Sequence, residues 1–150
     1  MKFTDLKVSR FIPGPAEEVF NVWFDPGSPG GPWYGATKAM MNLTVDGMFY
    51  FGIERKVLEE KGIAAQGSGL FGHFGRFTAI DRPNAAEHTW MSENTHGIET
   101  TVSVLFEARD GGTQLTILHQ GVPNDERGRD HERGWTFLLS RLEHYFELRR

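Results

Sequence analysis

The last part of the chain, Pro123 to Arg150, is the only segment that reads as a long amphipathic helix, and it follows an almost unbroken run of strand-like segments. Trp135, Leu138, Leu139, Leu142, Tyr145 and Phe146 recur at the spacing of one buried helical stripe. Asn124, Asp125 and Glu126 stand where a cap and negative charge favour a helix start, and Arg149 and Arg150 where positive charge favours its end. A stripe of this length must be buried against something, and the strands are the only surface the chain offers. Gly134 breaks the pattern, because a mid-helix glycine costs about 1 kcal/mol against alanine. Its spacing predicts either a point of closest packing or room left for a ligand.

The strands come one after another. Lys2 to Ile12 alternates and is closed by Pro13-Gly14-Pro15, after which Ala16 to Phe24 reads as a short helix with Val19, Phe20 and Trp23 on one face. Asp25 to Pro32 holds too many prolines and glycines for a regular element. Strands are then predicted over 37–45, 48–58, 70–80, 87–93, 99–107 and 113–120, with a loop over 59–69 and hairpin signals at Asp46-Gly47 and Asp110-Gly111-Gly112. Ala39, Met41, Leu43 and Val45 would share one face. Six successive strands joined by short turns imply an antiparallel meander. Gly52, Gly72 and Gly75 fall inside strands, where glycine marks a bend or a close backbone approach. The expected fold class is therefore α+β, a curved sheet of about seven strands wrapped around a long C-terminal helix.

Length and composition narrow the function. A chain of 150 residues is one domain by size. The absence of cysteine removes disulfides and thiolate chemistry and fits the cytoplasm, which is the expected location. A net charge of −4 with mixed signs lacks the basic face that nucleic acids require. No apolar run reaches membrane-spanning length, and the first residues do not read as a signal peptide. Twelve Phe, four Trp and three Tyr supply large, shaped apolar surface, for a packed core or for an aromatic-lined pocket.

Several ordered motifs resemble a known family. Val8-Ser9-Arg10-Phe11-Ile12 before a Pro/Ala turn, Glu18-Val19-Phe20 with Trp23 and Trp33, and Val45-Asp46-Gly47 ahead of aromatic strand residues are three of them. The stretch from Gly75 to Pro83, Trp90 in the next strand, 113–118, and Gly134-Trp135 with its leucines complete the series. Together they resemble the family homologous to the C-terminal domain of the activator of Hsp90 ATPase, within the START-like or Bet v 1-like (helix-grip) superfamily. The resemblance implies a helix-grip fold with a space between sheet and helix. It departs at Asp25 to Pro32, where family members often carry a short second helix.

Candidate site residues follow from strand phase and helix spacing. Trp33, Trp90, Phe106, Ile117, His119, His131 and Trp135 are the expected ligand-lining residues. His119 and His131 are the candidate acid–base groups: His119 shares a face with Leu115 and Ile117, and His131 lies one turn before Trp135. His88 shares the face of Trp90, and His73 that of Gly75 and Phe77. Arg76 is expected on the solvated face, and Met40, Met41 and Met48 as core filling. Gly67 to Gly72 has the dinucleotide spacing, but a strand rather than a helix is expected after it. No metal-ligand spacing, nucleophile elbow or phosphate loop occurs, so no cofactor or metal is expected.

The leading expectation is a binder of a small hydrophobic or amphipathic ligand held between the sheet and the last helix, with no established catalysis. The alternatives are a cyclase, dehydratase or hydrolase using the cavity histidines, and a co-chaperone of Hsp90 implied by the resemblance alone. The chain starts at its first strand, so the two-point grip of the eukaryotic activator, and with it ATPase stimulation, is not expected. Exposed sheet edges leave a homodimer open. Membrane insertion is not expected.

Overall fold

A computed structural model describes residues 1–60 and 67–149. Strand β1 (Phe3–Ile12) leads through the proline turn into α1 (Ala16–Trp23). There follow β2 (Lys38–Met41), β3 (Met48–Glu54), α2 (Arg55–Glu60), β4 (Leu70–Asp81), β5 (Ala85–Trp90), β6 (Thr100–Arg109), β7 (Gly112–Pro123), α3 (Glu126–Arg129) and α4 (His131–Glu147). The seven strands form one sheet in the order β1-β7-β6-β5-β4-β3-β2, and every adjacent pair is antiparallel. The expected meander runs from β2 to β7, and β1 closes on the far side of β7.

The curvature has a local cause. β4 changes partner part-way along, pairing with β3 over Leu70–Arg76 and with β5 from Phe77 onward, and the register slips between Phe77 and Ala79. At the change-over, a Cβ on Gly75 would stand 2.0 Å from the Thr89 carbonyl oxygen, so the backbones meet where only glycine fits. Gly52 and Gly72 face each other across β3 and β4, and the Tyr50 ring covers both. A Cβ on Gly52 would lie 2.5 Å from the Tyr50 hydroxyl, and one on Gly72 2.9 Å from Tyr50 Cε2. The expectation that these three glycines mark bends or close approaches is met.

Several boundaries differ from the sequence reading, each for a visible reason. β2 ends at Met41 because the chain turns at Asn42, whose side chain accepts from the Thr44 hydroxyl at 3.2 Å. Val45 is therefore 56% exposed instead of facing inward. The strand expected to reach residue 58 stops at Glu54, where α2 begins and buries Leu58 against Phe71. The loop expected over 59–69 lies partly outside the described residues. β5 ends at Trp90, and a capping box of Ser92 and Thr95 starts a 3-10 turn over Glu93–Thr95. Asp25 to Ala36 forms successive turns, with Ser28 bonded to Asp25, Gly31 to Ser28, Tyr34 to Gly31 and Ala36 to Trp33 through backbone hydrogen bonds of 3.0–3.3 Å.

The C-terminal segment is two helices rather than one. Asp125 caps α3 by accepting from Gly128 N at 2.8 Å, and α4 starts after Asp130. The α4 stripe packs as expected, with Trp135, Leu139, Leu142 and Phe146 buried and Leu138 and Tyr145 half-buried. Gly134 is not a closest-packing point. It faces solvent, and a Cβ there would meet nothing within 4 Å. Met40 and Met48 are also exposed, at 59% and 60%, which corrects their reading as core. Arg76 lies on the solvated face as expected, paired with Asp46 at 2.8 Å.

Candidate functional site

Strand alternation aims one set of side chains at α4. From β5 come Ala86, His88 and Trp90; from β6, Thr100, Val102, Val104 and Phe106; from β7, Leu115, Ile117 and His119. Register places His119 beside Val102 on one side and Leu6 on the other, and Trp90 beside Thr100. α4 supplies His131 and Trp135, and the turn-rich loop supplies Trp33. The structure thus brings all seven expected lining residues into one layer: six are buried and His131 is half-buried.

Their polar atoms form a directional chain. The Trp135 indole Nε1–H donates to His119 Nδ1 at 3.1 Å, and His119 Nε2 meets Thr100 Oγ1 at 2.8 Å. The Thr100 hydroxyl in turn donates to the Trp90 carbonyl at 2.6 Å. An indole nitrogen only donates, so these partners assign His119 the neutral Nε2–H form. The second arm starts at the same tryptophan. Trp90 Nε1–H donates to His131 Nε2 at 3.3 Å, and His131 Nδ1–H donates to the Gly128 carbonyl at 2.8 Å. The rings of His119 and His131 meet edge to face, 4.8 Å apart. Both nitrogens of both rings are engaged, so proton transfer by either would first require one of these bonds to break.

Burial favours the neutral form of His73, His88, His119 and His131. It pushes His73 down to about 3 and His88 to about 4, and holds His119 and His131 below the usual imidazole range. His88 Nδ1–H is satisfied by the Thr89 carbonyl at 2.8 Å.

Aromatic rings fill the layer around this chain. Trp135 stands 5.1 Å from Trp90 and 6.4 Å from Trp23, and Trp33 lies 5.2 Å from Phe49 and 4.7 Å from Phe51. These are packing separations. Beneath the first half of α4, the question of core against cavity therefore falls on the side of a packed aromatic core. Phe51 stacks on His73 at 4.6 Å, and Trp90 touches both His73 and Trp33. Yet Trp33 Nε1 and His73 Nδ1 are buried with no hydrogen-bond partner among the described residues. Two open clefts lie elsewhere. One of about 500 Å³ is lined by residues of α1 with Asp25, Leu43 and Arg82. One of about 410 Å³ is lined by Phe74, Met91, the 92–97 turn and Arg127.

The sequence missed Thr100, although its inward strand phase two residues before Val102 was a usable signal. It also missed the unsatisfied state of Trp33 and His73, which depends on packing that no local pattern encodes. Among the described residues there is no cluster of three or more potential metal ligands, and no helix long and apolar enough to cross a membrane.

The family model for "Activator of Hsp90 ATPase homolog 1-like protein" matches residues 13–147. The chain belongs to this family. No curated protein matches the sequence. Among solved structures, protein CV1439 from Chromobacterium violaceum is similar with a TM-score of 0.74 at 15% identity, covering 95% of this chain and 96% of that one. The AHSA1-like protein from Aeromonas hydrophila is similar at 0.69 and 21% identity, covering 97% and 93%. A Plasmodium falciparum protein described as an Hsp90 activator is similar at 0.70 and 21%, covering 94% of each chain. At these identities the likeness establishes the Bet v 1-like fold, a seven-stranded antiparallel curved sheet around the C-terminal helices with a short helix after β1.

Proposed function

We propose that the protein binds a small hydrophobic or amphipathic ligand between the sheet and the C-terminal helix, where the packed rings of Trp33, Phe51, His73 and Trp90 part to admit it. The observation that carries this reading is the pair of buried, unpartnered polar atoms, Trp33 Nε1 and His73 Nδ1, on side chains that both touch Phe51 and Trp90. A buried polar group without a partner costs about 1–3 kcal/mol. A ligand with an apolar body and a few polar atoms would satisfy them, and such sites are mostly apolar with a few placed polar groups. Phe106, Ile117, His119, His131 and Trp135 back these rings, and soluble action in the cytoplasm suits a binder of this kind.

Native mass spectrometry and thermal shift across a panel of lipids, sterols and aromatic polyketides test the reading. His73→Phe is expected to leave the free protein as stable or more stable, since it removes an unsatisfied atom, and to diminish any ligand-induced rise in Tm. No adduct and no shift across the panel would refute the reading. A second reading, action on an Hsp90-type ATPase, draws on the family and on the Plasmodium falciparum relative. Stimulation of such an ATPase by this chain would favour it.

A further inference from the structure

A third buried atom also lacks a partner among the described residues: Arg141 Nε. With Trp33 Nε1 it makes two obligate donors, one on α4 and one on the turn-rich loop that α4 meets. Arg141 donates from its terminal nitrogen to the carbonyl of Gly31, two residues before Trp33 on that loop. One turn further along α4, the Tyr145 ring sits so close to Gly30 that a Cβ there would be 2.5 Å from its Cγ. Loop and helix are therefore held together on both sides of the Arg141 head.

Among the described residues that head carries a charge without a counter-charge. No carboxylate pairs with Arg141 among the described residues, and Glu143, two residues on, is turned to the opposite flank, where it binds Arg10 at 2.9 Å. Half-burial pulls the Arg141 guanidinium below its usual range, yet a guanidinium stays protonated in proteins. A partly desolvated cation that meets a carbonyl and, among the described residues, no carboxylate is an arrangement that an anion relieves. Continuing from Trp33, the Phe51 ring is 4.7 Å away and Trp90 6.2 Å away, so the apolar surface next to the donors is that of packed rings.

We propose that the place where α4 meets the turn-rich loop is a carboxylate site: Arg141 Nε–H and the Trp33 indole N–H take the anionic head of a small aromatic acid whose ring lies on Phe51 and Trp90. The inference rests on the ligand-binding reading above and names the ligand class. A carboxylate offers the acceptors both donors lack, and the planar guanidinium matches its geometry.

The test compares 2-naphthoate with neutral 2-naphthamide, titrated into the full chain by calorimetry near pH 7.5. The expected result is that the acid binds about tenfold or more tightly than the amide, the size of a charge-assisted contact. Arg141→Gln should erase that difference while the amide still binds, and Arg141→Lys should retain part of it. Trp33→Phe should weaken the acid more than the amide. Equal binding of acid and amide, or tighter binding of the amide, by the parent protein overturns the carboxylate site and leaves ligand binding standing. Binding of neither overturns this site, and the broader panel then decides the ligand reading. If Arg141→Gln does not fold, the ratio in the parent protein and the Trp33→Phe result still decide.

Discussion

Acidification from pH 7.5 to pH 5 should remove a large part of this protein's stability, because its core holds several histidines as neutral, desolvated rings. His88 and His119 are 2% and 0% exposed, and burial is the leading cause of their depressed values. Glu87, Glu93 and Asp130 act in the opposite sense on His88, His73 and His131, but burial outweighs them. In the unfolded chain each ring takes up a proton near pH 6.5, while in the fold His88 does so only at about 4 and His73 at about 3. The sign follows: the stabilisation is complete above pH 6.5 and is lost as pH falls toward the folded values. At pH 5 the loss is about 1.5 units at about 1.4 kcal/mol per unit, or roughly 2 kcal/mol for each ring. His88 and His119 together then contribute about 4 kcal/mol, against a typical total of about 5–15 kcal/mol. Glu93 and Asp125 are held low by Arg55 and by the Gly128 amide respectively, so their contributions fade only below the ordinary carboxylate range, outside this window. Urea unfolding followed by tryptophan fluorescence measures the effect. At an m-value of about 2 kcal/mol/M the midpoint should fall by about 2 M between the two pH values. His88→Gln should show a shallower dependence on pH. A midpoint that moves by less than about 0.3 M would refute the argument that these rings are folded in their neutral form.

Other perturbations test the packing. Gly134→Ala should stabilise by up to about 1 kcal/mol, raising Tm by roughly 2–4 °C, since the added methyl meets nothing; a loss of stability would mean that something covers that face. Gly75→Ala should do the reverse and cost more than about 2 kcal/mol, because its Cβ would be driven into the Thr89 carbonyl; calorimetric melting separates the two signs. Thr100→Val keeps the shape but strands His119 Nε2–H and the Trp90 carbonyl, at a cost of about 1–3 kcal/mol by urea unfolding. A neutral Thr100→Val would show that the chain from Trp135 to Trp90 is not a working hydrogen-bond relay.

The strands were legible because alternation is a period-two signal and most of these strands bury one face. The same phase that placed His119 and Trp90 inward also placed Thr100 there. Boundaries slipped where the backbone was redirected locally: Asn42 ended β2, Leu58 drew α2 out of an expected strand, and the last helix divided at Asp130. The site was legible as a list of residues but not as a network. Which nitrogen of His119 carries its proton depends on Trp135 lying across from it, and a pattern along the chain holds no such information. Gly134 misled for the same reason: a missing side chain looks the same in sequence whether it yields to a neighbour, as at Gly75, or faces water.

The Tyr50 ring lying over Gly52 and Gly72 has a consequence for how this family varies. The three positions act as a single heritable unit, since a side chain at either glycine collides with the ring and loss of the ring uncovers bare backbone on the outer face. Across related chains, these positions should change together or not at all. A small residue at 50 should accompany alanine or larger at 52 or 72. The bend of β3 and β4 would then drift gradually between lineages, carried by a swap of bulk from one strand position to its neighbours.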